Sequence, residues 1–485
     1  MPDPAPDSLL FEPGRNCWRV EPATKLSVIV DADAYFRVAR QAMLTAKRQI
    51  FLIGWDFDAR ILLNRDDPPD HPDAPREVGD FITWLTRRNP DLHVHILRWD
   101  MGALKSVVRG KTLRTLIKWR LGKQVHPKLD SLHPPGASHH QKIVVIDDCI
   151  AFCGGIDMTM SRWDTRAHGD HAESRVDPDG CEYMPWHDAT TAIEGPAAKA
   201  LGELCRERWH LAGGAPCSPP DVTEDCWPRS LVPDFTDVRV AIARTRPETS
   251  ACAPVKEIEA LYLDLIATAR KHIYAESQYF ASRKIAEAIA KRLAEPDGPD
   301  IVIVNPARAD GWLEQQAMDT ARARLFRTLK QRDPHDRLRI YHPVTSAGDD
   351  IYVHAKVLVI DDRVLRVGSS NMNNRSLGLD TECDVAVTAT DAATASRIAA
   401  IRNGLIAEHL GTDTLRVAHA IADTGSLIRA IDTLRTTGRT LRDYRVPDLD
   451  AVDKWLAENQ ILDSGEETIF ESMTKGGLLR RLRRR

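Results

Sequence analysis

Apolar positions recur at helical spacing through AYFRVARQAMLTAKRQ (34–49) and run straight into IFLIGW (50–55), the pattern of an amphipathic helix feeding a buried strand. The same succession returns in VKEIEALYLDLIATARKHIYAES (255–277). Further alternation follows each: FITWLTRR and HVHILRW in the first stretch, then KIAEAIAKRL, DIVIVN and a helix near 311–331 in the second. Strands alternating with helices predict a mostly parallel sheet covered by helices. Beyond residue 411 the pattern turns helical and polar, with no counterpart in the first half.

The likeness of the two stretches extends to their chemistry. HHQKIVVIDDCIAFCGGID (139–157) and VHAKVLVIDDRVLRVGSSN (353–371) align without a gap, matching His140, Lys142, Asp147 and Gly154 to His354, Lys356, Asp361 and Gly368. The branched residues of VVI and VLVI favour an extended strand, on which alternation puts His140 and Lys142 on one face. Asp147 sits at an odd offset beside the Asp147-Asp148 turn, so it is expected to face away and to anchor a basic side chain; Asp361 is read the same way. An imidazole beside an ammonium suits a phosphate ester, since lysine neutralises an oxygen while histidine attacks phosphorus or moves a proton. Two copies predict one shared site with a histidine on each side of a phosphodiester.

The expected fold is therefore α/β: two duplicated halves with mixed, mostly parallel sheets packed about a pseudo-twofold axis, plus a helical C-terminal extension. The boundaries read from the pattern are a lead at 1–25, halves at 26–212 and 253–410, a linker at 213–252, and the extension at 411–485. The linker opens with GGAPCSPPDVTEDCWPRS (213–230), rich in turn formers.

Composition narrows the class. At 485 residues and 54.3 kDa the chain exceeds what one core usually serves, and 43% apolar with 28% charged residues describes a globular protein. A net charge of −4 argues against a dedicated nucleic-acid binder, so no nucleic-acid partner is expected. No run approaches the roughly 18 apolar residues of a membrane span, and the start lacks the order of a secretory signal, which makes the cytoplasm the default. The nine cysteines show no paired spacing and are read as thiols, mostly buried. The end is different: Lys475, Arg480, Arg481, Arg483, Arg484 and Arg485, with no acid among them, point to an anionic membrane surface bound through Lys475 to Arg485.

The duplicated H-x-K-x4-D followed by G-S-x-N or G-G-x-D resembles the signature of the phospholipase D superfamily. GGIDMTMSRWDTRAH (154–168), MPWHDATTAIEGPAA (184–198) and GSSNMNNRSLGLDTECDVAV (368–387) resemble phospholipase D proper more than its nuclease or cardiolipin synthase relatives. The resemblance implies a catalytic set of His140, Lys142, Asp147, His354, Lys356 and Asp361, with Asp188 and Glu382 as the carboxylates that hold the two rings. It implies a phosphate cradle of Ser369, Asn371, Gly155 and Asp157. It further implies a phosphohistidine on His140, a leaving-group proton from His354, no cofactor or metal, a phospholipid substrate, and a monomer that is cytoplasmic or peripheral on the membrane. Cardiolipin synthase-type transfer and nuclease action are the alternatives.

Two smaller signals are read conservatively. His168 and His171 suggest a metal site but are taken as part of a solvated loop. Trp55, Trp99, Trp163, Trp186 and Trp312 are taken mainly as core or rim.

Overall fold

A computed structural model describes residues 10–65, 71–100, 110–222, 225–308 and 312–445, the side chains of 312–318 apart. Two twelve-residue strands, β1 (Arg19–Val30) and β9 (Phe235–Arg246), pair antiparallel at its centre, with Leu26 opposite Phe235 and Val20 opposite Ala241. On one side of this pair lie the strands of the first wing: β2 (Gln49–Gly54), β3 (His93–Trp99), β4 (Val125–Asp130), β5 (Ile143–Ile146), β6 (Ile150–Gly154) and β8 (Ala189–Glu194). On the other lie β11 (His272–Glu276), β12 (Asp300–Val304), β13 (Leu338–Val344), β15 (Val357–Ile360), β16 (Val364–Gly368) and β17 (Glu382–Thr388). Outward from β1 the order is β8, β6, β5, β2, β3, β4; outward from β9 it is β17, β16, β15, β11, β12, β13. The two wings thus repeat the same order.

This is one continuous mixed sheet of 16 strands, and most of its pairings are antiparallel, which corrects the expectation of mostly parallel sheets. Within this sheet the parallel pairings are β2–β3–β4 and β11–β12–β13, where helices make the crossovers. The rest follows from hairpins that helix–strand alternation does not reveal. β5 turns into β6 through Asp147 and Asp148, both left-handed (φ 50° and 54°), and β15 turns into β16 through Asp361 and Asp362 (φ 52° and 56°). Left-handed pairs of this kind match the twist of adjacent antiparallel strands, and aspartate tolerates them.

Strand alternation divides the core. Ile143 and Val145 of β5 join Val357 and Val359 of β15 in one apolar cluster shared by the wings, whereas Val144 and Ile146 face a first-wing cluster and Leu358 and Ile360 a second-wing one. Residues 235–246, placed within the linker from sequence, form the central β9, and β1 begins seven residues ahead of the position 26 read as the start of the first half. The extension adds helices at Thr414–Thr424 and Leu427–Leu434 and an edge strand, β18 (Thr440–Asp443), paired with β13. The basic run Lys475 to Arg485 lies outside the described residues.

One further expectation, that the cysteines are thiols, changes for two of them. Cys149 and Cys226 form a disulfide, tying the β5–β6 hairpin to the segment before β9; sequence spacing could not show this because 77 residues separate them. Among the described residues, no helix is long and apolar enough to cross a membrane.

Candidate active site

His140 and Lys142 immediately precede β5, and His354 and Lys356 precede β15. Each approach is fixed by backbone pairing with the other wing: the His140 amide donates to Thr381 O (3.0 Å), and the His354 amide to His187 O (2.8 Å). The carboxylate following each acceptor then meets the imidazole. His140 Nδ1 lies 3.0 Å from both Glu382 oxygens, and His354 Nδ1 lies 2.6 Å from Asp188 Oδ2. The pairing is crossed, so each histidine is oriented by an acid from the opposite half. Neither ring makes a hydrogen bond through Nε2 among the described residues.

The carboxylates are themselves held. Glu382 is fully buried and accepts from Ser369 Oγ (2.5 Å) and Ser376 Oγ (2.7 Å). Asp188 accepts from the Ala189 amide (2.8 Å), and its own amide donates to Asp31 (3.0 Å). Lys142 Nζ reaches His140 O and Asp157 Oδ2 (3.0 Å each), while Lys356 Nζ donates to His354 O.

Burial sets the protonation. Desolvation, reinforced by Lys142 and Lys356, holds His140 well below the usual histidine range. Desolvation, Lys356 and Arg162 do the same to His354, and the His140 ring adds to the effect, which puts both imidazoles in one electrostatic neighbourhood. Burial raises Glu382 to about 7 against the two serine hydrogen bonds, and raises Asp188 against Lys356. Burial also lowers Lys356 to about 7; Asp188 opposes that shift and Lys142 adds to it. Neutral imidazoles beside a cationic pair suit an incoming phosphodiester monoanion, whose charge offsets the lysines.

Several residues singled out from sequence do other work. Asp147 accepts from the amides of Lys47 (2.5 Å), Arg48 (2.9 Å) and Gln49 (2.6 Å), and Asp361 from those of Arg270 (2.6 Å), Lys271 (2.7 Å) and His272 (2.8 Å). Both therefore start a neighbouring strand by satisfying its backbone donors; Asp361 Oδ1 also lies 3.8 Å from His272 Nδ1, and neither aspartate takes part in the ring–carboxylate pairs. Asp157, read as a phosphate ligand, is the partner of Lys142, as a carboxylate must be beside a cation. The Gly155 amide is already given to Ala189 O (2.8 Å), and a Cβ there would fall 2.1 Å from Asp188 Oδ1, so this glycine makes room for the carboxylate. Ser369 is occupied by Glu382. Asn371 is 3% exposed; its backbone amide donates to Ser376 Oγ (3.0 Å), and its Oδ1 has no hydrogen-bond partner among the described residues.

His168 is buried, against the solvated-loop reading, while His171 is exposed. His168 sits between Asp164 (3.0 Å) and Glu408 (3.1 Å), and His187 between Glu276 and Glu408 (2.8 Å each). Desolvation works against the charged rings, but Asp31, Asp164 and Glu408 bring His168 to about 9, and Glu276 and Glu408 raise His187 well above its usual value. This charged cluster ties the first wing to the helix at Ala392–Leu410 one residue from Asp188, and no motif spacing announced it. Trp186 stacks on Tyr352 (4.6 Å) beside His354 (5.2 Å), Trp55 and Trp99 lie 5.7 Å apart, and Trp163 is buried. The side chain of Trp312 lies outside the described residues.

The duplicated site has a counterpart among known families. Residues 42–287 match the family model described as Phospholipase D, and residues 262–401 match one described as Cardiolipin synthase, PLD-like domain. The chain belongs to the phospholipase D superfamily. It is 26% identical to Phospholipase D A of Dictyostelium discoideum over 73% of its own length and 32% of that protein. It is 23% identical to Phospholipase D alpha 4 of Arabidopsis thaliana over 84% of its length and 65% of the relative. The chain thus spans from about a third to two thirds of these curated relatives. In fold it is similar to the crystal structure of phosphatidylserine synthase from Haemophilus influenzae Rd KW20, with a TM-score of 0.53 at 14% identity, covering 91% of this chain and 95% of that one.

Proposed function

We propose that the protein is a phospholipase D-type phosphodiesterase that cleaves or transphosphatidylates glycerophospholipids. The observation that carries the reading is the crossed pair of imidazoles, each fixed through Nδ1 by a buried carboxylate with Nε2 left open. In the proposed reaction the charge of the bound phosphodiester offsets the lysines and lets His354 take up a proton at Nε2; His140 Nε2 then forms a bond to phosphorus as the bond to the headgroup oxygen breaks, and His354 gives that oxygen the proton. His354 then takes a proton from water or an alcohol, whose oxygen displaces His140 and completes the cycle. Lys142, Lys356 and Asn371 hold the non-bridging oxygens, where stabilising the growing charge lowers the barrier by several kcal/mol.

Cardiolipin synthase-type phosphatidyl transfer is the second reading, supported by the second-half match to the family model described as Cardiolipin synthase, PLD-like domain. One experiment tests both. Phosphatidylcholine vesicles with a primary alcohol are incubated in parallel with plasmid DNA, using wild type, His140→Ala and His354→Ala. A phosphatidyl-alcohol that is lost in both variants supports the proposal. Nicked plasmid without any lipid product would overturn it.

A further inference from the structure

The helix Gly110–Arg120, between β3 and β4, is apolar on two sides. The fold accounts for the inner side: Thr112 Oγ1 donates to Asp58 (2.6 Å), Leu116 packs in the first-wing cluster, and Trp119 Nε1 donates to Thr83 (2.9 Å). It does not account for the outer side. Leu113, Ile117 and Leu121 recur every fourth residue with 38%, 53% and 84% exposure, and Leu129 on the adjoining edge strand β4 is 45% exposed. A surface helix ordinarily turns polar residues outward, and a contiguous apolar stripe marks a contact surface.

The stripe is flanked by one sign of charge. Residues 110–124 contain Lys111, Arg114, Lys118, Arg120 and Lys123 and no acid, in a chain of net charge −4. Lys111 is paired with Glu77 and Asp80, whereas Arg114, Lys118, Arg120 and Lys123 are exposed and have no acidic partner among the described residues. The helix also starts beside the site. Its Thr112 is bonded to Asp58, just past the end of β2 at Gly54, and a Cβ on Gly54 would meet Asp157, the partner of Lys142.

We infer that this helix docks the protein on an anionic phospholipid surface, with Leu113, Ile117 and Leu121 entering the headgroup–acyl boundary and the four free cations meeting lipid phosphates. The inference rests on the lipid-cleaving reading only for its purpose, since docking holds the protein at the surface where that substrate lies. A bilayer fits better than a second copy, which would bring two basic flanks together. It also fits better than nucleic acid, whose backbone offers nothing to an aliphatic stripe.

The test uses the full chain. Sedimentation with phosphatidylcholine vesicles, with and without phosphatidylglycerol, is compared for wild type, Leu113→Ser/Ile117→Ser/Leu121→Ser and Arg114→Glu/Lys118→Glu, all checked for an unchanged melting temperature. The expected result is binding of wild type to the anionic vesicles and at least tenfold weaker binding of either variant. Turnover of vesicle lipid falls in step, while turnover of a monomeric short-chain phospholipid stays unchanged. Wild type that ignores anionic vesicles, variants that bind like wild type, or a serine variant that only dissociates a dimer would each overturn the docking. Helix-dependent binding without turnover of either lipid upholds the docking and overturns the phosphodiesterase reading; turnover of short-chain lipid without helix-dependent binding does the reverse.

Discussion

Glu382→Gln tests the crossed pairing directly. The carboxylate lies 3.0 Å from His140 Nδ1 and accepts from Ser369 and Ser376, three donors that one amide oxygen cannot serve together. When His140 becomes cationic on attacking phosphorus, a unit charge at that distance is worth about 5 kcal/mol at an effective dielectric of 20. That corresponds to about a 10⁴-fold loss of rate, similar to the loss when the aspartate of a serine-protease triad becomes an amide. The assay is single-turnover cleavage of a soluble phosphodiester, with ¹⁵N shifts of both imidazoles recorded in parallel. The expected outcome is a loss of at least 10³-fold, with the His140 signal displaced and the His354 signal nearly unmoved; Asp188→Asn gives the mirror image. A rate within tenfold of wild type, or a displaced His354 signal in Glu382→Gln, would refute the crossed assignment.

Three other outcomes follow from the same geometry. Glu382 loses its charge as pH falls through about 7 and Lys356 loses its proton as pH rises through about 7, so kcat/KM should form a narrow bell centred near neutrality; Lys356→Arg should carry the alkaline limb upward even at a reduced maximum, and a limb that stays in place would assign it to another group. Asp147→Ala removes the acceptor of three amides, so it should cost about 2–4 kcal/mol of stability in a melting or denaturant titration while activity per folded molecule holds within a few-fold. His168 is raised to about 9 in the folded state, so its stabilisation is complete below the ordinary histidine value near 6.5 and fades as pH climbs to 9; the drop in stability across that interval, on the order of 3 kcal/mol, should be absent in His168→Asn.

What could be read from the sequence was what repeats or alternates. The two motif blocks align without a gap, so the paired histidines and lysines and the Asp-Asp turns were legible before any coordinates. The branched residues of VVI and VLVI likewise anticipated extended strands after the two histidines. Pairing partners were not legible, because a hairpin and a crossover leave similar apolar runs; hence β9 was hidden in a stretch read as linker. The carboxylates at 188 and 382 were legible as candidates, but which ring each would hold depends on a contact between halves that no local pattern encodes. The roles of Asp157, Gly155 and Ser369 were obscured for the same reason. Each supports a neighbouring charged group across the fold, and a motif records the residue without its partner.

The crossing has a consequence for the duplication itself. A single half has a histidine and a lysine but lacks the acid that orients its ring, so Asp188 without the second half and Glu382 without the first would be buried carboxylates with no base to serve. The shared apolar cluster and the β1–β9 pairing hold the halves together, and the Asp31–His187–Glu408 contacts add a second tie one residue from Asp188. Gly155 shows how little slack remains, since a single methyl group there would stand 2.1 Å from Asp188 Oδ1. Gly155→Ala should therefore slow the reaction through His354 while leaving the His140–Glu382 pair intact, a result visible as a displaced His354 ¹⁵N signal beside an unshifted His140 signal. If both rings moved together, the two orienting pairs would have to be treated as one mechanical unit, and the independence assumed for Glu382→Gln would fall with it.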